Sequence, residues 1–363
     1  MYNIGKGDSL LDLYGEIWNG FLSPREYVEC PCNATAESYI KHYYTYRCKE
    51  NVFDFDLSER SALYSKSSHT LSAFLMGMCF RSLVEDKVKE IINERRSRAN
   101  RYNFEYPWFL CCLYHDTYSQ FEREYGIYEL NSFESMRRTL GIEHEIHVPE
   151  KDVYKNWDWP LTYKRRTVEE YYRQRYNKGV VDHGIVSGVY CFDRLVKNYL
   201  DKRKGQNRDR FWTNGTYCSL RWDRKQIRVF AIAADAIVAH NIWHGEKWGI
   251  PELCPGDERE RKLSITETPL AYYLSLIDTI EPVKWFTNNG HFSDLEILRN
   301  ISIQLTGNII RITQRDGFFD FKKWHDEKMK MMPDWLEDTK TEYISENEIC
   351  ITLPQQYRRE ITE

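Results

Sequence analysis

The sequence predicts an all-α protein, a helical bundle with a short β segment near its C terminus. Five segments repeat apolar residues at the spacing of a buried helix face, and strand-like alternation is scarce between them. The 363 residues are 42% hydrophobic, which is enough to bury one large core. We therefore expect a helical domain at residues 61–325, a helical or irregular N-terminal extension at 1–60 and a C-terminal appendage at 326–363.

The five predicted helices follow one another at residues 68–93, 106–118, 180–200, 226–243 and 269–279. Asp182 is expected in the first turn of the third helix, where negative charge is favourable. Gly184 and Gly188, four residues apart, predict a close approach of another backbone or of a ligand. Thr268 followed by Pro269 is typical of a helix start, with Thr as a capping residue and Pro at the first helical position.

Three other segments have a different character. Residues 156–176 and 202–214 are charged and aromatic, and we expect them to be irregular and to lie at the surface. The basic run after Lys164 is interrupted by Glu169 and Glu170, which favours a solvated, salt-bridged helical face over a phosphate-binding one. Residues 342–354 have short β-favouring runs around Glu-Asn-Glu and predict an edge strand or hairpin.

The composition of the chain indicates which classes of partner it is expected to bind. The net charge of −4, from 51 basic and 55 acidic residues, gives no whole-chain field that would attract nucleic acid or acidic lipid. The ten cysteines are scattered, which indicates free, mostly buried thiols in a reducing compartment. No signal segment is recognisable, and no uncharged apolar run approaches the roughly 18 to 20 residues that span a bilayer. We expect a soluble, cytoplasmic protein with no membrane partner.

Six polar side chains interrupt the apolar helical faces. They are His69, His115, Asp116, His183, His240 and Asp278. Burial of such groups without partners is costly, so their recurrence needs a shared explanation. A metal centre supplies one, because imidazole and carboxylate bind divalent ions such as Mn, Fe, Ni, Zn or Mg. A carboxylate can also bridge two ions, so we expect one or two ions per chain.

The order His, His-Asp, His, His, Asp resembles that of the HD-domain superfamily of metal-dependent phosphohydrolases. The resemblance is carried by HTLSAFLMG, WFLCCLYHD, DHGIVSGVY, AHNIW and PLAYYLSLIDTIEPVKW, and it extends over about residues 61–286. It is similar to the five-histidine type, which includes cyclic-dinucleotide phosphodiesterases and CRISPR-associated HD nucleases. The expected fold is therefore an HD-domain-like helical bundle.

The resemblance also implies roles for individual residues. It assigns the first metal to His69, His115, Asp116 and Asp278. It assigns the second metal to His183 and His240, with Asp116 as the bridge. The reaction implied is the hydrolysis of a phosphomonoester or phosphodiester, expected to be that of a nucleotide, by a metal-bound hydroxide. The catalytic residues would be His115, Asp116 and His183.

Two positions depart from the family pattern. Thr117–Gln120 follows the His-Asp pair and contains no Lys, so a substrate-phosphate contact must come from elsewhere or be missing. Ala239 precedes His240, where nuclease members often have a second His. Two alternatives stay open: a metal-dependent single-strand nuclease, which the near-neutral charge disfavours, and a non-catalytic ligand-binding or scaffold protein that retains the HD core.

Three further groups are less suited to a metal. His144 and His147 are expected at an exposed helix end or loop near Pro149. The N-terminal group lacks a second closely spaced pair and is interpreted as scattered thiols; its members are Cys30, Cys32, His42 and Cys48. Asp235 precedes His240 by five residues, off its helix face, and is expected to orient a neighbouring His or to pair with a basic residue.

Overall fold

The fold is mostly helical, with an antiparallel sheet near the C terminus. The computed structural model describes residues 9–22, 67–92, 103–119, 130–146, 161–204, 209–213, 216–220, 224–242, 262–290, 292–315 and 317–355. The coarse expectation of a helical protein with a C-terminal β segment is therefore confirmed for these residues. Cys30, Cys32, His42, Cys48 and His147 lie outside the described residues.

The helices that precede the C-terminal sheet surround a common apolar core. They are α1 (Leu10–Leu22), α2 (Ser67–Cys79), α3 (Glu85–Ile92), α4 (Glu105–Tyr114), α5 (Phe133–Thr139), α6 (Arg165–Asn177), α7 (His183–Lys204), α8 (Arg224–Ala239), α9 (Pro269–Ile280), α10 (Pro282–Gly290) and α11 (Asp294–Asn300). Between α7 and α8, β1 (Asp209–Thr213) and β2 (Thr216–Leu220) form an antiparallel pair. No helix among the described residues has both the length and the apolar character that a membrane crossing requires.

The predicted helices overlap the observed ones, but the first is broken, and those predicted at 106–118 and 226–243 end earlier, at Tyr114 and Ala239. The described part of this first span, up to Ile92, forms α2 and α3, joined by a 3₁₀ turn at Arg81–Leu83. Phe80, which precedes this turn, and Leu83, the last residue of the turn, are both buried. The turn therefore keeps apolar side chains in the core on either side of a change in chain direction.

Helices α7 and α8 pack closely because two glycines of α7 face α8. A Cβ at Gly188 would lie 2.7 Å from the Ala234 carbonyl oxygen and 2.6 Å from Val238 Cγ2. A Cβ at Gly184 would lie 3.0 Å from His240 Cε1. The prediction of close backbone approach is confirmed, and the partner is the helix that leads to His240.

The ends of two helices differ in detail from the prediction. Asp182 precedes α7 instead of lying in its first turn, and its Oδ1 accepts a hydrogen bond from the Ile185 amide, as an N-cap does. Thr268 is the N-cap residue of α9 and Pro269 is at the first position, as expected. The Thr268 hydroxyl makes no cap hydrogen bond because it instead donates to the Ser264 carbonyl and accepts from the Ser264 amide.

Both segments expected to be irregular contain regular structure. Within 156–176, α6 buries Val168, Tyr171 and Tyr172 along one face, so this part is not merely a surface segment. The basic residues of α6 do form ion pairs within the helix, including Arg165 with Glu169, which confirms the salt-bridged face. Within 202–214, the chain forms the end of α7 and strand β1. In α6 the correction arises because apolar and aromatic positions among the charges are buried, whereas β1 is regular because its backbone pairs with β2.

The C-terminal sheet has four strands in the order β3-β4-β6-β5. They are β3 (Ile301–Thr306), β4 (Ile309–Gln314), β5 (Lys340–Ser345) and β6 (Glu348–Thr352). The predicted hairpin at 342–354 corresponds to β5 and β6 and is confirmed. The sequence interpretation missed β3 and β4, which precede the boundary drawn at residue 326 and join the hairpin through β4 and β6.

The residues between β4 and β5 attach this sheet to the helices. They form α12 (Phe321–Trp324), a π-helical turn (His325–Met329) and α13 (Met332–Trp335). The Leu263 amide and carbonyl bond to Trp335 and Glu337, and the Tyr272 hydroxyl of α9 lies 2.7 Å from that of Thr339. These hydrogen bonds therefore connect the C-terminal part of the chain to α9, the helix that carries Asp278.

Candidate metal centre

Four histidines from four helices form a row of buried imidazoles. His69 is on α2, His115 directly follows α4, His183 begins α7 and His240 directly follows α8. The ring centroids of His69 and His115 are 5.2 Å apart, those of His115 and His240 5.5 Å, and those of His183 and His240 5.4 Å. Residues far apart in sequence are thus brought to one place by the helix packing.

Backbone and carboxylate acceptors fix the orientation of three of these rings. His115 Nδ1 is 3.0 Å from the Cys112 carbonyl oxygen, and His240 Nδ1 is 2.6 Å from that of Ile237. His69 Nδ1 is 2.7 Å from Glu281 Oε2. Because these oxygens only accept, each Nδ1 carries the hydrogen and each Nε2 faces the site. Such an arrangement is typical of metal-ligating histidines.

Asp278 completes a compact group with two of the histidines. Its Oδ1 is 3.2 Å from His69 Nε2 and 3.3 Å from His115 Nε2, and these two nitrogens are 3.1 Å apart. One ligand atom from each of the three residues lies within 4.8 Å of the others, so the group could hold a metal ion.

Asp116 lies between this group and His183. Its Oδ2 is 3.7 Å from His69 Nε2 and 3.9 Å from His115 Nε2, whereas its Oδ1 is 3.2 Å from His183 Nε2. The two oxygens of one carboxylate are therefore directed to two different sets of imidazoles. A carboxylate in this position has the geometry needed to bridge two cations.

His240 fits a metal ligand in its protonation state and in its surroundings. Burial and the nearby His183 lower the pKa of His240 to about 3, so the ring is neutral at neutral pH. Among the described residues its buried Nε2 has no hydrogen-bond partner. A neutral imidazole with an unsatisfied, inward-facing nitrogen is the form that binds a divalent ion.

The carboxylates are balanced by a lysine that the sequence interpretation did not include. Lys284 Nζ is 2.9 Å from Asp116 Oδ2 and 3.3 Å from Asp278 Oδ1. Burial alone would raise the pKa of Asp278, but Lys284 and the two histidines hold it well below its ordinary value. Burial alone would likewise lower the pKa of Lys284, but the two carboxylates raise it. The site is thus an ionised cluster.

His69 also has a perturbed pKa. Burial and Lys284 act to lower the pKa of His69, yet the hydrogen bonds to Asp278 and Glu281 outweigh them and raise it to about 9. This imidazole is therefore protonated at neutral pH as long as no metal is bound. Metal binding to its Nε2 must then release a proton.

Glu281 is a second residue that the sequence interpretation missed. It lies between α9 and α10, and its buried carboxylate accepts from His69, from the Ser72 hydroxyl at 2.5 Å and from the Val283 and Lys284 amides at 2.8 and 3.0 Å. The Tyr14 hydroxyl of α1 lies 3.0 Å from the Ser72 hydroxyl. Glu281 thus joins the start of α10, helix α1 and the His69 ring in one hydrogen-bond network.

A sequence signal for both missed residues was present. Asp278 is followed by Thr-Ile-Glu-Pro-Val-Lys, and a Pro after Glu281 favours a new helix that begins there. The two residues at this turn, Glu281 and Lys284, are then one helical turn apart and next to Asp278. Only Asp278 directly continues the apolar run LAYYLSLI, so the pattern of interrupted helix faces singles out Asp278 and not the other two polar residues.

The remaining candidates are placed elsewhere. His144 is buried, contrary to the expected exposed loop, because the Asp193 carboxylate of α7 accepts from the Glu143 and His144 amides and holds this segment against the helix. Within the described part of the chain, Asp235 neither orients a His nor pairs with a base: it accepts from the amide and hydroxyl of Thr162.

Asp235 gives the protein a testable pH dependence. Burial raises the pKa of Asp235 to about 6, and the Thr162 hydrogen bonds only partly oppose this. The stability that the protonated form contributes is present below about pH 4 and is lost as the pH rises through 6. Between pH 4 and 7, we expect the free energy of unfolding of the wild type to decrease by about 2 kcal/mol more than that of Asp235→Asn. Urea titrations at each pH measure the two free energies. Parallel pH profiles would contradict this assignment.

Comparison with protein-family models, with curated proteins and with solved structures gave no match in any of the three cases. The description of this protein therefore rests on its fold and on its candidate metal site. The chain is a largely helical protein with a small antiparallel sheet, and a cluster of His69, His115 and Asp278 in its core is able to hold a metal ion.

Proposed function

We propose that this protein is a metal-dependent phosphohydrolase of the HD type, acting on a phosphomonoester or phosphodiester of a nucleotide. The observation that carries the proposal is the position of Asp116, whose two carboxylate oxygens are directed to separate sets of imidazoles. A structural ion pair needs no such division, whereas a two-metal hydrolase does.

The donor set supports a division into two sites. The first ion would be held by His69, His115, Asp116 and Asp278. The second would be held by His183 and His240, with Asp116 shared between the two ions. Nitrogen and carboxylate oxygen donors of this kind suit Mn, Fe, Ni or Zn, and the number of carboxylates also permits Mg.

Divalent ions bound there would polarise a phosphoryl oxygen and lower the pKa of an attacking water. The residues of this chain position those ions and exclude bulk water. The side chains of His69, His115, Asp116 and His183 are at most 9% exposed, whereas those of Asp278 and Lys284 are 21% and 29% exposed. Substrate would therefore reach the site from the side of Asp278 and Lys284.

A cytoplasmic location and a small-molecule substrate are part of the same proposal. The cysteines in the described residues are free thiols, which supports a reducing compartment. The near-neutral charge gives no support to nucleic acid as the substrate. We therefore favour a nucleotide over a polynucleotide.

Phosphate release tests the function directly. Purified protein is treated with chelator, reloaded with Mn²⁺ or Ni²⁺ and assayed on a panel of nucleoside mono-, di- and triphosphates and cyclic dinucleotides. We expect release of phosphate, or opening of a phosphodiester, from at least one member, with activity lost on chelation and restored by metal. Metal uptake without turnover of any panel member would exclude a nucleotide phosphohydrolase.

One observation favours a second candidate, a non-catalytic protein that retains this core. Lys284 already balances Asp116 and Asp278, so the cluster can serve as a buried ion-pair network that stabilises the fold. The two candidates differ in turnover. A non-catalytic protein, with or without a structural metal, releases no phosphate from any substrate, whereas the proposed hydrolase does.

A further inference from the structure

Lys284 lies on the solvent side of the cluster. Its ammonium contacts Asp116 Oδ2 and Asp278 Oδ1, and its side chain is 29% exposed. The side chains of His69 and His115 on the inner side are 5% and 0% exposed. The ammonium is therefore between the two carboxylates and the opening of the site.

The backbone of Lys284 is anchored independently of its side chain. Its amide donates to Glu281 Oε2, and the same carboxylate oxygen is 2.7 Å from His69 Nδ1. The start of α10 is thus fixed relative to the imidazoles. A flexible four-carbon side chain can move its ammonium within such a site while the backbone stays in place.

The ammonium and a metal ion would compete for the same oxygens. A divalent ion held by Asp278, His69 and His115 would lie near Asp278 Oδ1, which is also 3.3 Å from Lys284 Nζ. Cations at such separations repel each other, which weakens the contact of the ammonium with that oxygen once a metal is bound. The exposed side is the direction in which the ammonium can then move.

We propose that Lys284 is a displaceable cation that neutralises Asp116 and Asp278 in the metal-free site and, once metal is bound, binds a phosphoryl oxygen of the substrate. This inference rests on the proposed function. It supplies, from the start of α10, the phosphate contact that Thr117–Gln120 lacks. Ammonium and phosphate oxygen form a charge-assisted hydrogen bond, which suits this role.

Metal affinity tests the first half of the proposal. Lys284→Met retains the length of the side chain and removes its charge, and the Mn²⁺ affinity of each protein is measured by competition with a chromophoric chelator in phosphate-free buffer. We expect Lys284→Met to bind Mn²⁺ about tenfold more tightly than the wild type. In the variant, the metal ion does not have to displace the Lys284 ammonium from the two carboxylates. Equal or weaker binding would overturn the proposal.

Orthophosphate affinity tests the second half. Calorimetric titration of Mn²⁺-saturated protein should give about tenfold weaker orthophosphate binding for Lys284→Met and near wild-type binding for Lys284→Arg. The matched control is Lys322→Met, because the Lys322 ammonium pairs with the exposed Asp326 at 2.7 Å, outside the cluster. We expect this control to match the wild type in both measurements. Wild-type orthophosphate affinity in Lys284→Met would overturn the proposal.

The outcomes separate this inference from the proposed function. If the wild type binds no stoichiometric Mn²⁺, the proposed function fails, and the role of Lys284 fails with it. If the wild type binds metal and hydrolyses a nucleotide while Lys284→Met is unchanged in both affinities, only the role of Lys284 fails. Should Lys284→Met lack the far-ultraviolet circular dichroism of the wild type, Lys284→Gln is measured in its place against the same expectations.

Discussion

Replacement of Asp116 with Asn is expected to lower metal-dependent phosphate release at least about 100-fold, because the amide cannot supply the second anionic oxygen that the shared position needs. In the wild type, Oδ1 is 3.2 Å from His183 Nε2 and Oδ2 is 2.9 Å from Lys284 Nζ. Asn is nearly isosteric, so the helices around it are expected to keep their arrangement. The measurement is the initial rate of phosphate release at saturating Mn²⁺.

A matched carboxylate elsewhere provides the control for this substitution. Asp326→Asn removes a carboxylate that pairs with the exposed Lys322, and its activity should equal that of the wild type. If Asp116→Asn protein retained wild-type activity and bound as much Mn²⁺ as the wild type, Asp116 would not bridge two ions.

Replacement of Glu281 with Ala is expected to lower the free energy of unfolding by about 3–5 kcal/mol. The substitution leaves the buried Ser72 hydroxyl, the His69 Nδ1–H and two amides at the start of α10 without their acceptor. The His69 ring also loses its orientation, so we expect metal affinity to fall by about 10- to 100-fold. Urea denaturation of the metal-free protein and a chelator competition measure the two effects.

The control for Glu281 is another carboxylate at a helix start. Glu296 forms an exposed capping box with Ser293 at the start of α11, and Glu296→Ala should destabilise the protein far less than Glu281→Ala, with no change in metal affinity. Glu281→Gln, which still accepts one or two of the hydrogen bonds, should recover part of both losses. Equal costs for Glu281→Ala and Glu296→Ala would show that the buried network contributes little.

The helical class could be predicted because apolar periodicity reports directly on a buried helix face. The five predicted helices correspond to α2 with α3, α4, α7, α8 and α9. Their polar interruptions predicted a shared site, since a buried His at the end of an apolar helix needs a partner. The glycines of α7 predicted its closeness to α8, and Gly184 lies against the His240 ring.

The sequence of strands β3 and β4 contains a clear signal for a hairpin. Residues 301–306 and 309–314 alternate apolar and polar positions, and Gly307-Asn308 between them is a two-residue hairpin turn. Ile301, Ile303, Ile310 and Ile312 are buried on one face, as the alternation requires. The domain boundary expected at residue 326 falls between β4 and β5, so it separates β3 and β4 from the hairpin with which they form one sheet.

The electrostatic partners could not be assigned from sequence. Lys284 reaches Asp116 across 168 positions, and Asp235 is satisfied by Thr162 from a segment 73 positions earlier. Such pairs depend on how helices pack, and no periodicity within one helix encodes them. For the same reason, the burial of His144, which lies outside any helix, follows from the Asp193 carboxylate on α7.

The most direct test of the account is the number of ions bound per chain. Equilibrium dialysis of the wild type against Mn²⁺, followed by elemental analysis, is compared with that of a His183→Ala/His240→Ala double variant. We predict two bound ions per wild-type chain and one per chain of the double variant, which keeps His69, His115 and Asp278. No bound ion in the wild type, or equal occupancy in the two proteins, would contradict the two-site account.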